Sequence, residues 1–493
     1  MPLHRRLTIW LAYLAAGAAG VLATIVLVFA VQARLRLPDL RAWHQVTLEQ
    51  EYRVGGAQAP ASFAEYLARE EQLFRELHRR VLDDAAAADT DPLGRYNSKS
   101  VVARLALDTK YNRSYELAPP DEVRGSVLLV HGLSDSPYSV RALAETFLAQ
   151  GYYVLALRLP GHGTVPAGLV DVSWEDWYGA VVLAARHAAA KAGPGKPFVA
   201  GGHSTGSALL ALYALRALSD PALPAPQRLY LVSPAIGISP FAALTEVLSW
   251  PSFIPAFEKS RWLDVLREYD PYKYNSFPVN AARQIHRLTK VLQRALDVEE
   301  KSGRLARMPR VIAFQSIVDS TITAGAVVRG LLGRLSPGSH ELVVFDINRN
   351  EKLEAWIAAG PLEDLEKLRG AANLPFRLTL VANRGRDTRA IAAYVRPAGG
   401  RDVAVENLAY EWPAGVFSVG HVALPFPVDD PVYGLLPAPG AQPQFNLGAL
   451  APKGEAGALA VSPGTFERVR SNPFWGVIQA KVVEAEMAAA AAH

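Results

Sequence analysis

The chain has no cysteine and only 3 methionines among its 493 residues. Without cysteine there can be no disulfide, no thiolate metal site and no cysteine nucleophile. The compartment stays open on this ground, because an oxidising one permits disulfides without requiring them. An excess of one charge is also lacking: 51 basic residues face 47 acidic ones, for a formal net charge of +4. That balance speaks against a nucleic-acid partner. No G-x-x-x-x-G-K-[ST] phosphate loop, H-E-x-x-H zinc helix or acidic calcium loop occurs, so neither a metal nor a cofactor is expected.

One absence is local. Residues 7–33, 27 in all, contain no Asp, Glu, Lys, Arg or His. About 20 apolar residues suffice to cross a bilayer. The stretch is therefore expected to be a single membrane-spanning anchor, with Trp10 and Tyr13 in an interfacial belt near one end. A cleaved signal peptide starting at Arg5 and Arg6 is the competing reading, but its apolar region would run only about 7–15 residues. Arg5 and Arg6 before the stretch, and Arg34, Arg36 and Arg41 after it, leave the positive-inside rule undecided. The expected topology puts the amino terminus inside a bacterial inner membrane and the bulk of the chain on the periplasmic side.

Residues 34–99 read as a helical stalk or packing segment. In 62–82 the apolar positions Phe63, Leu67, Leu73, Phe74, Leu77 and Val81 fall near helical spacing, and Ser62 with Glu65 fits a capping box. From residue 100 to 487 short apolar runs alternate with helical stretches. SVLLVHG (126–132), YYVLALRLPGHG (152–163), KPFVAGGHSTG (196–206), RLYLVSPA (228–235), RVIAFQSIVDS (310–320) and HELVVFDIN (340–348) read as strands. Continuous apolar strands alternating with helices predict an α/β domain, a mostly parallel sheet with helices on both faces. Two insertions interrupt it. Residues 236–309 read as a helical lid, and 349–420 hold at least one helix and one strand. The alanine-rich end, 488–493, is expected to fray.

The sharpest chemical signal is Gly202-His203-Ser204-Thr205-Gly206. It fits G-x-S-x-G between an apolar strand and a helix, where the turn is so sharp that side chains at the two glycines would strike neighbouring backbone. Ser204 would then stand at a helix amino terminus, which favours developing negative charge. A serine nucleophile needs a base. In this motif's chain order, Ser then acid then His, the histidines that follow are His286, His340, His421 and His493. His421, in the Gly-flanked loop FSVGHVALPF, is the expected base. His286 falls in the lid, His340 opens a strand as an exposed edge residue, and His493 is terminal. The acid should end a strand between Ser204 and His421. Asp319 does so, with Asp346 as its competitor. One oxyanion amide is expected from Thr205 and a second from the loop after SVLLV, at Leu133. His131 is expected to pack beneath the site, and the LPGHG turn (159–163) to be structural.

The runs HGLSDSPYS, LRLPGHG and GHSTG, with the segment around Asp319, resemble an α/β-hydrolase, nearest the monoacylglycerol lipase, lysophospholipase and bacterial carboxylesterase group. The resemblance covers roughly residues 100–348 and the His421 segment. It implies a hydrolase of carboxylic esters with a Ser204–His421–Asp319 triad, oxyanion donors at Leu133 and Thr205, a lid and no cofactor. Two departures stand out: the anchor, and the 102 residues between Asp319 and His421, where one strand and one helix would need about 30.

The substrate is then expected to be a small-molecule ester, lipid-derived or otherwise apolar, with the lid aromatics Trp250, Phe253, Phe257 and Trp262 lining an acyl pocket or closing the lid's own core. A peptidase, thioesterase or acyltransferase on the same triad is the alternative. For an aminopeptidase, Glu246, Glu258, Asp264 or Glu268 would have to hold the substrate ammonium. A non-catalytic envelope binding protein is the remaining reading.

Overall fold

The computed structural model describes residues 3–56, 59–83, 89–237, 248, 250–436, 445–450 and 464–491. Glu246 and His493 lie outside them. The apolar stretch folds as one long helix, α1 (Leu3–Arg36). From Thr8 to Arg36 it is long and apolar enough to cross a membrane, and its flank is exposed from Thr8 to Ile25. After a single short turn of helix at Ala42–Gln45, α2 (Phe63–Leu77) starts where Ser62 accepts a hydrogen bond from the Glu65 amide. Its apolar face, with Phe63 and Tyr66, joins the core of the main domain.

That domain is built on a ten-stranded sheet. In chain order its strands are β1 (Tyr115–Leu117), β2 (Gly125–Val130), β3 (Tyr152–Leu157), β4 (Phe198–His203), β5 (Arg228–Val232), β8 (Arg310–Ser316), β9 (Glu341–Phe345), β10 (Arg377–Asn383), β11 (Ala390–Arg396) and β12 (Ala404–Glu411). A separate hairpin pairs β6 (Trp262–Asp264) with β7 (Phe277–Pro278). The sheet order is β1-β3-β2-β4-β5-β8-β9-β10-β11-β12. The seven strands from β3 to β10 run parallel, while β1, and β11 with β12, add antiparallel edges.

Strands β2 to β5 are buried along their whole length, as parallel strands covered on both faces must be. Helices α3 (Arg141–Ala149) and α7 (Trp475–Ala491) cover one face. Helices α4 (Trp174–Ala192), α5 (Thr205–Ala217) and α6 (Val279–Lys301) cover the other.

The structure differs from the sequence reading in four places. The carboxyl half of the expected lid is α6, which packs on α5 within the core; its Ile285, Leu288, Leu292 and Leu296 make a buried helical stripe. Residues 250–278 of that insertion, all described, are short turns and the β6–β7 hairpin rather than a long helix. The 349–420 segment holds a helix, Ala359–Gly370, and the strand β10 as expected, but it adds two strands more, β11 and β12, and all three strands extend the central sheet. The alanine-rich end does not fray at once, because α7 runs to Ala491.

Candidate active site

Strand β4 ends at His203 and α5 starts at Thr205, leaving Ser204 alone to make the turn. Its backbone is forced to φ 52°, ψ −113°, a left-handed conformation that costs energy in a non-glycine residue. The surroundings hold it there. The Ser204 amide donates to the Val232 carbonyl on β5 at 2.9 Å, and the Ser204 carbonyl accepts from Ala208 and Ala235. The two glycines answer to crowding: a Cβ on Gly202 would sit 2.7 Å from the Gly206 carbonyl carbon, and one on Gly206 would enter the Val130 carbonyl.

The loop after β2 closes over the serine. A Cβ added at Gly132 would come within 3.2 Å of Ser204 Cβ, so Leu133 is one residue from the closest approach. Among the described residues no hydrogen bond engages the amide of Leu133 or Thr205. Beneath this loop His131 is fully buried. Its Nε2 accepts from the Leu159 amide at 3.0 Å and its Nδ1 faces the Gly132 carbonyl at 2.8 Å. Burial, with His162 beside it, holds its pKa well below the ordinary imidazole value. Gly161 and Gly163 turn with φ 81° and 73°, and His162 Nδ1 lies 3.0 Å from the Pro160 carbonyl. Burial pushes the His162 pKa down to about 4.

His421 Nδ1 donates to Asp319 Oδ2 at 2.7 Å, both side chains being buried. The carboxylate is held from other sides as well. Gln315 Nε2 donates to Oδ2 at 3.0 Å, and the Thr321 and Ile322 amides donate to Oδ1 at 2.9 Å each. Burial alone would raise the Asp319 pKa, but the hydrogen bond and charge of His421 and the two amides outweigh it and hold it below the ordinary value. The proton on Nδ1 leaves Nε2 as the basic nitrogen. Among the described residues no hydrogen bond engages His421 Nε2 or Ser204 Oγ, an open geometry common before substrate tightens a site.

The competitors stand elsewhere. Asp346 is tied to Arg349 in a two-pronged ion pair. His340 is buried, not an exposed edge residue, because its Nδ1 accepts from the Val311 amide at 3.1 Å. His286 lies on the buried face of α6.

Sequence reasoning missed a second chain of polar contacts. His203 lies between Asp135 Oδ2 at 3.2 Å and the His421 carbonyl at 3.3 Å. Burial lowers its pKa, so the neutral ring donates to one of them at a time. Lys273 Nζ donates to Asp135 Oδ1 at 2.7 Å. Burial would raise the Asp135 carboxyl, but Lys273 and His203 reverse this and hold it well below its usual range. The only sequence signals were an acid three residues after HG and a histidine before the serine.

A cavity of about 420 Å³ opens beside these residues, lined by Asp135, Asp270, Lys273, Val422, Arg468 and Arg470 among others. Ser204 is not in its lining, nor are the lid aromatics predicted for a pocket. Trp262 is instead buried against His44, ring to ring at 5.0 Å. Phe257 is half-buried and Phe253 is exposed. The Trp250 side chain lies outside the described residues.

The profile of one protein family, Hydrolase_4, described as serine aminopeptidase, S33, matches residues 121–300, which hold the elbow and the loop after β2. The fold is that of an α/β-hydrolase. A curated relative, the thermostable monoacylglycerol lipase of Bacillus sp. (strain H-257), is 44% identical over 55 residues. That match spans 11% of this chain and 22% of the relative's length. Among solved structures, a metagenome-derived lipolytic enzyme is 22% identical, covering 52% of this chain and 98% of its own, with a TM-score of 0.37. The monoacylglycerol lipase of Paleococcus ferrophilus is 20% identical, covering 47% and 88%, with a TM-score of 0.35.

Proposed function

We propose that the chain is a membrane-anchored serine hydrolase that cleaves carboxylic esters through an acyl-enzyme on Ser204. The observation that carries this reading is the His421–Asp319 hydrogen bond, one residue's contact away from a strained serine with two unoccupied amides beside it. Ser204 Oγ attacks the ester carbonyl carbon and passes its proton to His421 Nε2. Asp319 stabilises the imidazolium and fixes the ring's tautomer. The Leu133 and Thr205 amides take the oxyanion. Collapse expels the alcohol, which leaves with the proton from His421. Water then loses a proton to the same nitrogen, attacks the acyl group, and releases the acid and the serine hydroxyl.

The cavity, lined by the rings of Tyr269, Tyr272, Phe426 and Tyr433 as well as by charged groups, suits part of a lipid-derived or other apolar acyl ester. Anchoring rests on α1, with the catalytic domain on the periplasmic side of a bacterial inner membrane.

One observation favours a second reading, a peptidase acting at an amino terminus. Asp270 is fully buried in the cavity wall, and among the described residues nothing donates a hydrogen bond to its Oδ2, a place where a substrate ammonium would fit. Arg470 stands 3.6 Å from that oxygen and already balances its charge, which favours the ester reading. Of the lid acids, Glu268 is occupied by the Asn275 and Ser276 amides, and Glu258 and Asp264 do not line the cavity.

A fluorophosphonate probe tests the nucleophile. The expected result is one adduct on Ser204, absent in Ser204→Ala. No adduct on folded protein, or labelling indifferent to that substitution, would leave a binding protein as the reading. A chain-length series of p-nitrophenyl esters beside aminoacyl amides separates the two substrates, with turnover expected on the esters.

A further inference from the structure

The turns of the lid pack against the end of α1. Segments Trp250–Phe253 and Pro255–Arg261 contact that helix. On α1, Ala30 and Ala33 are buried, and Val26, Phe29 and the following Leu37 are half-buried, one stripe at helical spacing. The contact is locked on the polar side. Lys259 Nζ donates to the Leu37 carbonyl at 3.0 Å and pairs with Asp39 at 2.9 Å. Leu37 and Leu40 then join Trp262, Val265 and Val170 in a small core.

This contact falls inside the charge-free stretch. Its 27 residues rise about 40 Å as a helix, about 10 Å more than a hydrocarbon core of about 30 Å. With Trp10 and Tyr13 at the far interface, a core of about 20 residues ends near Ala30–Ala33, so the turns the lid covers, Val26–Ala33, are the last of the span, and Arg34 and Arg36 follow at headgroup level. At the lid's own surface Phe253 is 81% exposed and Ile254 is exposed beside it, although the turns on either side touch α1. Two further exposed aromatics, Trp356 at 86% and Phe417, lie on loops that leave the carboxyl ends of β9 and β12. Strand β4 runs the same way, so these loops share the end of the sheet that carries Ser204.

We infer that the lid and α1 form one membrane-facing unit, with the Phe253–Ile254 turn set in the interfacial layer of a lipid bilayer and the Ser204 end of the sheet turned toward it. The inference rests on the reading of α1 as an anchor. It makes the bilayer the source of substrate: an ester enters beside the lid without first crossing free solution.

The cysteine-free chain allows a direct test. Single variants Val21→Cys, Phe253→Cys and Val403→Cys are made in the full-length protein, labelled with an environment-sensitive nitrobenzoxadiazole dye, and reconstituted in phosphatidylcholine–phosphatidylglycerol vesicles. All three side chains are exposed, so folding should tolerate the change. Val403 precedes β12 at the opposite end of the sheet and serves as the aqueous reference. The expected result is that doxyl-lipid quenches the labels at 21 and 253, and that iodide quenches the label at 253 several-fold less than the one at 403. If position 21 is quenched by doxyl-lipid while 253 is as open to iodide as 403, the inference falls and the anchor stands. If position 21 is itself open to iodide, the anchor reading fails and takes the inference with it. Protection of 253 from iodide without doxyl quenching would mean that protein, such as a second copy, covers the turn, and this too overturns it.

Discussion

His421 Nδ1 lies 2.7 Å from Asp319 Oδ2, although 102 residues separate them in the chain. The long excursion between them holds four further strands of the same sheet, β9 to β12, and the chain after the edge strand β12 returns to the Asp319 loop to bring the base to the acid. Asp346, also at a strand end, is neutralised by Arg349. If Asp319 is the triad acid, Asp319→Asn should lower kcat by about 10⁴-fold, because an amide there favours the wrong histidine tautomer. Asp346→Asn should leave kcat nearly unchanged. Steady-state hydrolysis of a short p-nitrophenyl ester reads both, and the reverse pattern would transfer the role to Asp346.

The two glycines of the elbow and the glycine before His421 make a contrast that stability can measure. A Cβ at Gly206 would enter the Val130 carbonyl, which is backbone and cannot turn aside. A Cβ at Gly420 would meet nothing within 4 Å. Gly206→Ala should therefore cost about 3 kcal/mol or more, at or beyond the usual range for overpacking. Gly420→Ala should unfold within a few tenths of a molar urea of the parent. Equal midpoints for the two variants would show that the elbow is less tightly packed than its geometry implies.

The elbow was legible in the sequence because its constraint is local: strand, turn and helix with glycine on either side of Ser204. The parallel strands were legible for the same reason, since SVLLV and YYVLAL are apolar at nearly every position. The 349–420 strands were harder. AIAAYVR and AVENLAYE carry few β-branched residues, and their strand character comes from pairing with β10 and with each other rather than from propensity. For the lid aromatics, spacing cannot tell a pocket wall from a packing contact. Trp262 is held by His44, which is 218 residues away, and no pattern in either segment announces the other. The His203–Asp135–Lys273 chain is likewise a product of the fold, assembled from three distant segments.

Glu268 gives stability a pH dependence opposite to that of most carboxylates. It is buried and accepts the Asn275 and Ser276 amides at 3.0 and 2.8 Å. Burial outweighs those bonds and raises its pKa from 4.5 to about 7. The folded chain thus holds a proton on Glu268 between pH 4.5 and 7 that the unfolded chain has released. The stabilisation is fully present below the unfolded value and is lost as pH rises through about 7, with a total on the order of 3 kcal/mol. Thermal melts of the parent and Glu268→Gln across pH 5 to 8 should show the parent's advantage shrinking as pH rises. An advantage that grows with pH would mean that Glu268 stays ionised in the fold.

Arg158 is almost wholly buried between two carboxylates, donating to Glu70 at 2.8 Å and to Glu51 at 3.0 and 3.2 Å, and to the His162 carbonyl at 2.9 Å. It ties the segment after the anchor to the turn whose Leu159 amide supports His131 beneath the oxyanion loop. Removing the guanidinium leaves two buried, uncompensated acids, and Arg158→Met should cost about 3–5 kcal/mol. The charge argument makes a second demand. Adding Glu51→Gln and Glu70→Gln to Arg158→Met removes the unpaired charges and should restore part of the loss, although each substitution alone is destabilising. Urea unfolding of the single and combined variants measures the coupling. If the combined variant is no more stable than Arg158→Met, the arginine acts through its packing and its bond to the His162 carbonyl rather than by neutralising the acids.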